Sequence, residues 1–373
     1  VTIEPGVYHF EDLTGEVMTR FHLRVDPDGG GLLLANAAEA AHLSDVGVLM
    51  AHGILSGDDD ATLISRVQAR FEGMSPATVR EDLDEVYALL ADLSSPDDNY
   101  PISNLADPQM SGWSRELSAP TEADIDQCAP QTARDMLLTL WEVGVPHVTW
   151  VVNPDRDVAE IPRLVELAGD IGMVCGVRTV AGWMEDDTLQ SAADGGLDHL
   201  DFLYVANDPE THDAVVGKGD HKCVTELLQH CREMEFAAVA YIPVFKANVD
   251  DIEQIIFGAE QQGISNLSFY ALVCPNEDDA CQQAGGVAAD ALHQVAAVIE
   301  DATIEAEGRY LWLPPVRYDP AAGLSEQIRE GPRTAGDLCI RVDGEGAVYA
   351  PRGPRTIAGN LLELFQNING LSR

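Results

Sequence analysis

The chain has 373 residues, of which 46% are hydrophobic, enough for at least one large core and too many for one ordinary small domain. Its 63 acidic against 22 basic residues give a net charge of -41, a surface that repels phosphate backbones and anionic membranes and so argues against nucleic-acid or membrane partners. No run reaches the roughly 18 to 20 uninterrupted apolar residues of a bilayer span, and Val1-Thr-Ile-Glu-Pro-Gly lacks the basic-then-apolar order of a signal peptide, so a cytoplasmic location is expected.

The only lysines are Lys218, Lys222 and Lys246, while acids run together in Gly57-Asp-Asp-Asp60 and Asn276-Glu-Asp-Asp279. Adaptation to a saline cytoplasm accounts for such acidity, and so does an acidic surface made for a basic partner. Cysteines at 128, 175, 223, 231, 274, 281 and 339 are odd in number and thinly spread, with no C-x2-C or C-x3-C pair. That is neither a disulfide framework nor a zinc knuckle, and buried free thiols are the plain expectation.

Residues 1–93 read as a small mixed domain. Phe21-His-Leu-Arg-Val25 and Gly31-Leu-Leu-Leu-Ala35 flank the turn Asp26-Pro-Asp-Gly-Gly30, which predicts a hairpin. Ser44 is placed to cap a helix starting near Asp45; residues 62–71 are helical in period; Ser75-Pro76 sets a cap before proline ahead of a helix to Leu93. A hairpin with short helices resembles a winged helix. Residues 94–120, with four prolines and several serines, read as a linker.

From Thr132 helix and strand patterns alternate. Predicted strands are 147–153, 173–180, 199–206, 237–245, 267–273 and 310–314; predicted helices are 132–143, 161–171, 186–194, 223–234, 250–262 and 288–307. Short, mostly apolar strands in repeated helix-strand units argue for a partial or full parallel α/β barrel over 121–318, with a doubly wound open sheet as the alternative. Glycines at the helix-to-strand turns, as in Val143-Gly-Val-Pro146 and Gln262-Gly-Ile264, suit left-handed helix ends. In residues 319–373, two short strands around Asp343-Gly344 predict a hairpin, and a final helix is expected over 360–367.

These segments together resemble radical SAM proteins with an N-terminal PqqD-like domain and a SPASM-like C-terminal extension. The resemblance rests on Leu117-Ser-Ala-Pro120, Leu140-Trp-Glu-Val-Gly-Val-Pro-His-Val-Thr149, Ala193-Asp-Gly-Gly-Leu-Asp-His-Leu200, Asp208-Pro-Glu-Thr-His-Asp213 and the Cys339 hairpin. It implies a TIM-like barrel of the radical SAM type. That family carries C-x3-C-x2-C after the first barrel strand, three thiolates that hold a [4Fe-4S] cluster for S-adenosylmethionine. The equivalent stretch here, Pro120-Thr-Glu-Ala-Asp-Ile-Asp-Gln-Cys-Ala-Pro-Gln-Thr132, has one cysteine. The family's Gly-Gly-Glu-Pro turn is replaced by Val152-Asn-Pro-Asp155, and the second auxiliary cysteine by Pro351-Arg-Gly353. Glycine alone permits the close backbone approach that the cofactor turn needs.

The expectation is therefore a non-catalytic pseudoenzyme with no cofactor, no metal and no catalytic residues, binding a peptide or a partner such as an intact radical SAM homologue. An enzyme with non-radical chemistry or a small-molecule binder using the vacated barrel is the alternative. A structural or assembly protein that self-associates is the third. Ligand-binding candidates at the strand ends are Asn153, Asp155, Arg178, Asn207, Asp208, Lys246 and Asn248, with Cys274 and Asn276 nearby. Arg178 and Lys246 either anchor an anionic or peptide ligand or pair with Asp155 and Asp208 and plug the site. His212, Asp213, His221 and Cys223 lie on a loop with no metal-ligand spacing, and no G-x-S-x-G elbow, Walker loop or G-x-G-x-x-G follows a strand.

Overall fold

A computed structural model describes residues 3–12, 19–35, 39–71, 73–94, 120, 122–153, 155–234, 237–264, 266–313, 315–331, 339–349 and 357–360. It divides into two compact units, one of residues 1–121 with 140–147 and 172–174, the other of the remaining residues.

In the first unit four strands, β1 (Gly6–Asp12), β2 (Thr19–Val25), β3 (Gly31–Ala35) and β4 (Glu39–Leu43), form an antiparallel sheet in chain order. The predicted hairpin is β2–β3, with Phe21 opposite Ala35 and Val25 opposite Gly31. Neither of its strands is an edge, because β1 covers β2 and β4 covers β3. Helices α1 (Asp45–Leu55), α2 (Asp60–Arg70) and α3 (Pro76–Ser94) follow. The Ser44 hydroxyl accepts from the Gly47 N–H at 3.2 Å and the Asp59 carboxylate from the Thr62 N–H at 2.7 Å, satisfying donors that helix starts leave unpaired. Phe21, Leu23 and Leu33 from the sheet pack with Met50, Leu63, Val67, Val79 and Leu83 from the helices. The predicted linker, apart from Ser94 and Pro120, lies outside the described residues.

The second unit is a mixed α/β body around a curled, mostly parallel sheet, a half-barrel. Its strands are β5 (Glu122–Asp126), β6 (His147–Val151), β7 (Val174–Thr179), β8 (His199–Leu203), β9 (Ala237–Val244) and β10 (Asn266–Cys274). Between them run α4 (Pro130–Val143), α5 (Ile161–Ile171), α6 (Asp186–Asp194), α7 (Pro209–Val215), α8 (Asp220–Glu233) and α9 (Ile252–Gln261). The helix-to-strand turns place Gly196 at φ 95° and Gly263 at φ 77°, a region that costs other residues strain. After β10 come α10 (Asp279–Ala284), β11 (Val287–Ala288), α11 (Leu292–Glu305), β12 (Arg309–Trp312), β13 (Val316–Arg317) and α12 (Leu324–Glu330); β11, β12 and β13 all pair with β10.

The predicted C-terminal hairpin is β14 (Cys339–Val342) with β15 (Ala347–Tyr349), and β16 (Ile357–Asn360) pairs onto β15. Asn360 thus ends a strand where the sequence predicts a helix start, and 361–367 lie outside the described residues. β14 also runs parallel to β5, pairing Cys339 with Glu122 and Arg341 with Asp124. This contact joins the chain's tail to the first strand of the sheet. A second correction concerns the thiols: Cys274 and Cys281 are joined by a disulfide, because α10 folds back over the end of β10, while Cys128, Cys175, Cys223, Cys231 and Cys339 are free. Among the described residues no helix is long and apolar enough to cross a membrane.

Candidate functional site

The alternation of β5, Glu-Ala-Asp-Ile-Asp, buries Ala123 and Ile125 on one face and sends Glu122, Asp124 and Asp126 to the other. β7 and β8 each carry a single charged side chain on that same concave face, Arg178 and Asp201, paired in register. Arg178 donates from Nη1 to Asp124 Oδ2, and from Nε and Nη2 to Asp201 Oδ2 at 3.1 and 3.0 Å. Its guanidinium carbon stands 4.3 Å from the centroid of the Tyr241 ring on β9. Side chains from non-neighbouring strands meet here because the sheet curls. Arg341 on β14 extends the network by donating to Asp126. His199 Nδ1 lies 2.8 Å from Asp201 Oδ1 and Thr149 donates to Glu122 Oε1 at 2.9 Å.

The electrostatics follow from this packing. Burial disfavours the Arg178 charge, but Asp124, Tyr241 and Asp201 outweigh it and hold the guanidinium well above its ordinary value. Burial likewise opposes the Asp201 charge, and His199 with Arg178 overcomes it, leaving the carboxyl lowered. Glu122 has no such rescue: desolvation, then the Asp124 charge, push its carboxyl up to about 8. The interior is thus a fixed ionic core, with Arg178 11%, Asp124 7% and Asp201 4% exposed in their side chains.

Above this core, at the carboxyl ends of the strands, is a cavity of about 310 Å³ lined by Asp126, Asn153, Asp155, Arg178, Tyr241 and Arg341, with Trp183, Glu326, Arg329 and Glu330 also on its wall. Three of the sequence-derived candidates therefore meet at one cavity. Asn153 holds its own turn, accepting from the Asp155 N–H at 2.9 Å, and its backbone N–H donates to Gln127. The other four do not line this cavity. Asn207 accepts from the Tyr204 hydroxyl at 2.7 Å and donates to the Gln254 carbonyl. Asp208 caps α7 through the N–H and hydroxyl of Thr211, which lower its carboxyl. Lys246 is exposed, and buried Asn248 staples backbone, donating to the Val205 and Pro243 carbonyls and accepting from the Phe245 N–H. The expected partners of Arg178 are corrected too: Asp124 and Asp201 hold it, since they face it from inside the sheet, whereas Asp155 is exposed and Asp208 is committed to its cap.

No protein-family model matches the chain. No curated protein matches it in sequence. Solved structures do match in fold. The crystal structure of Streptococcus suis SuiB aligns with a TM-score of 0.57 at 12% identity, over 93% of this chain and 86% of that one. SuiB bound to S-adenosylmethionine gives 0.58 at 12% over the same shares, and SuiB bound to precursor peptide SuiA gives 0.53 at 11% over 92% and 86%. The fold is radical SAM-like.

Such a fold implies a cluster held by three thiolates, and the donor set here does not fit one. Cys128, after β5, has its thiol pushed up to about 11 by burial, and Gln127 beside it is tied to the Asp157 carbonyl and the Asn153 N–H. Among the described residues, which include all seven cysteines, the only three His, Cys, Asp or Glu side chains that converge are Glu122, Asp124 and Cys339. His212 is structural, accepting from the Val205 N–H through Nδ1 and lying 2.9 Å from Asp220 through Nε2.

Reading the sequence by strand ends misses Glu122, Asp124, Asp201, Tyr241 and Arg341. The signal that marks four of them is a charge set into a strand at inward parity: Glu122 and Asp124 in β5, Asp201 in His-Leu-Asp-Phe-Leu, Arg341 in Cys-Ile-Arg-Val.

Proposed function

We propose that this chain is a non-catalytic protein on a radical SAM-like scaffold that binds a peptide or a protein partner in a maturation or biosynthetic pathway. The observation that carries the reading is the Arg178 core. A guanidinium buried between two carboxylates and over an aromatic ring is a fixed packing element, and breaking it leaves an uncompensated charge. The charges of Arg178, Asp124 and Asp201 are fixed by one another, which suits a scaffold better than a reaction centre. Residues 1–93 act on this reading as a PqqD-like winged-helix domain, joined by residues 94–120 to a barrel over 121–318 with a SPASM-like tail. Peptide partnership is supported by SuiB having been crystallised with its precursor peptide SuiA, and by a four-stranded sheet whose outer strands β1 and β4 suit pairing with an extended peptide. The net charge of -41 favours a basic one.

Anaerobic reconstitution with iron and sulfide, followed by titration of fluorescently labelled basic peptides, tests the reading. Saturable, salt-sensitive peptide binding without a stoichiometric cluster is expected. A stoichiometric cubane with its visible charge-transfer absorption would overturn it. A second reading, a small-molecule binder, is favoured by one feature: the buried Tyr241 hydroxyl, on the wall of the 310 Å³ cavity, has no hydrogen-bond partner among the described residues.

A further inference from the structure

Strand pairing brings an acid-rich strand and a cysteine from the far end of the chain together. The parallel register of β5 and β14 sets Cys339 beside Glu122, and alternation puts Asp124 on the face that Glu122 uses. One ligand atom from each of Glu122, Asp124 and Cys339 lies within 4.8 Å of the other two. Asp124 is 5% exposed, and while its Oδ2 accepts from Arg178, its buried Oδ1 has no hydrogen-bond partner among the described residues. The Cys339 thiol, also buried, lies 3.6 Å from the Ile340 carbonyl and meets the backbone N–H of Asp124.

We propose that Glu122, Asp124 and Cys339 bind a divalent transition-metal ion of the zinc class. A thiolate with two carboxylates suits a tetrahedral, borderline-soft cation, with water as the fourth ligand. Tetrahedral bonds of roughly 2.0–2.3 Å place ligand atoms about 3.6 Å apart, so side-chain rotations of about an ångström close the site. Both carboxylates already have the outer hydrogen bonds that orient metal ligands: Thr149 donates to Glu122 Oε1 and Arg178 to Asp124 Oδ2. With Oδ2 held by the guanidinium, Oδ1 is the oxygen of Asp124 left for the ion. A cation between these groups also offsets the repulsion of two adjacent buried carboxylates. Neither Glu122 nor Cys339 lines the strand-end cavity, so the site stands whether or not that cavity or the first unit takes a ligand.

The test is titration of the chelator-stripped full chain with Co(II), then displacement by Zn(II), followed by absorption and by calorimetry. One equivalent with a thiolate-to-cobalt charge-transfer band is expected. Cys339→Ser removes the band and weakens binding by at least tenfold, whereas Cys223→Ser, at the one free cysteine that is not fully buried, changes neither. Thr149→Val keeps all three ligands and weakens binding by about 10- to 100-fold through loss of orientation. If Cys339→Ser does not fold, Glu122→Gln and Thr149→Val carry the test. Absence of saturable binding, or a band that survives Cys339→Ser or stays unchanged in both other variants, overturns the proposal.

Discussion

Arg178 on β7 donates to Asp124 on β5, across the whole width of the intervening strand β6 and 54 residues of sequence. With Asp201 on its other side, this guanidinium pairs with two buried carboxylates, and Arg341 stands 3.8 Å from Asp124 as well. Arg178→Met is therefore expected to destabilise the chain by about 3–5 kcal/mol, measured by urea unfolding, because it strands those charges. Adding Asp124→Asn and Asp201→Asn to it recovers most of the loss. Arg178→Lys recovers little, since a point charge on a flexible stem cannot serve both partners and the Tyr241 ring.

His199 positions the same core from behind. It faces Gly176 across β7 and β8, and a methyl group added at Gly176 would collide with the His199 ring. Because His199 is fully buried, the ring has nowhere to retreat. Gly176→Ala should cost about 1–3 kcal/mol as overpacking and should loosen the hold of His199 on Asp201. Stability and the chemical shift of the His199 ring check this together; an unperturbed ring would count against the account.

The strand and helix pattern was legible because apolar runs such as Val148 to Val151 and helices such as 161–171 are dictated by local periodicity. What stayed hidden was non-local. Nothing near Cys339 announces that β14 will pair with β5, and nothing near Asp155 says that it stays exposed while Asp124 takes Arg178. β1 and β4 match β2 and β3 in length but are mixed in polarity, Gly-Val-Tyr-His-Phe-Glu-Asp and Glu-Ala-Ala-His-Leu, and so do not stand out from loops. The register-paired charges Arg178 and Asp201 were visible as residues but not as partners, since pairing depends on how the strands align.

Two buried titrating groups give stability opposite pH slopes in the two units. Burial raises the Asp198 carboxyl from 3.8 to about 6, so the folded chain holds a proton that the unfolded chain has lost. Its stabilisation is complete below pH 3.8 and is lost as pH rises through 6. Burial, then His9, Arg24 and Arg20, lower His22 from 6.5 to about 3. That stabilisation is present above pH 6.5 and is lost as pH falls toward 3. Hydrogen exchange resolved by residue should show Asp198→Asn flattening only the first slope and His22→Gln only the second.

The Cys274–Cys281 disulfide closes a short loop beside Tyr318 and Phe245 in the packed end of the half-barrel. For a loop of this size chain entropy predicts a contribution of about 2.5 kcal/mol. Dithiothreitol should lower the unfolding free energy of the wild type by that amount, read from urea unfolding. A Cys274→Ser, Cys281→Ser variant should start lower and not respond to reductant.

Tyr241 separates a ligand site from a merely packed wall. Its ring is 1% exposed and supports the Arg178 guanidinium, so Tyr241→Ala should cost about 3–5 kcal/mol whatever the cavity does. Its hydroxyl is different, being buried on the cavity wall without a partner among the described residues, a condition that costs roughly 1–3 kcal/mol. Tyr241→Phe keeps the ring, removes the unpaired group and should leave stability equal or higher. If the cavity holds a ligand, that hydroxyl is a donor waiting for it, and the same substitution must weaken binding while it strengthens the fold. Thermal unfolding and ligand-observed NMR with small carboxylates and amides on the two variants read those effects separately. A Tyr241→Phe protein that is both less stable and unchanged in binding would mean that the hydroxyl is already satisfied, and the small-molecule reading would lose its support.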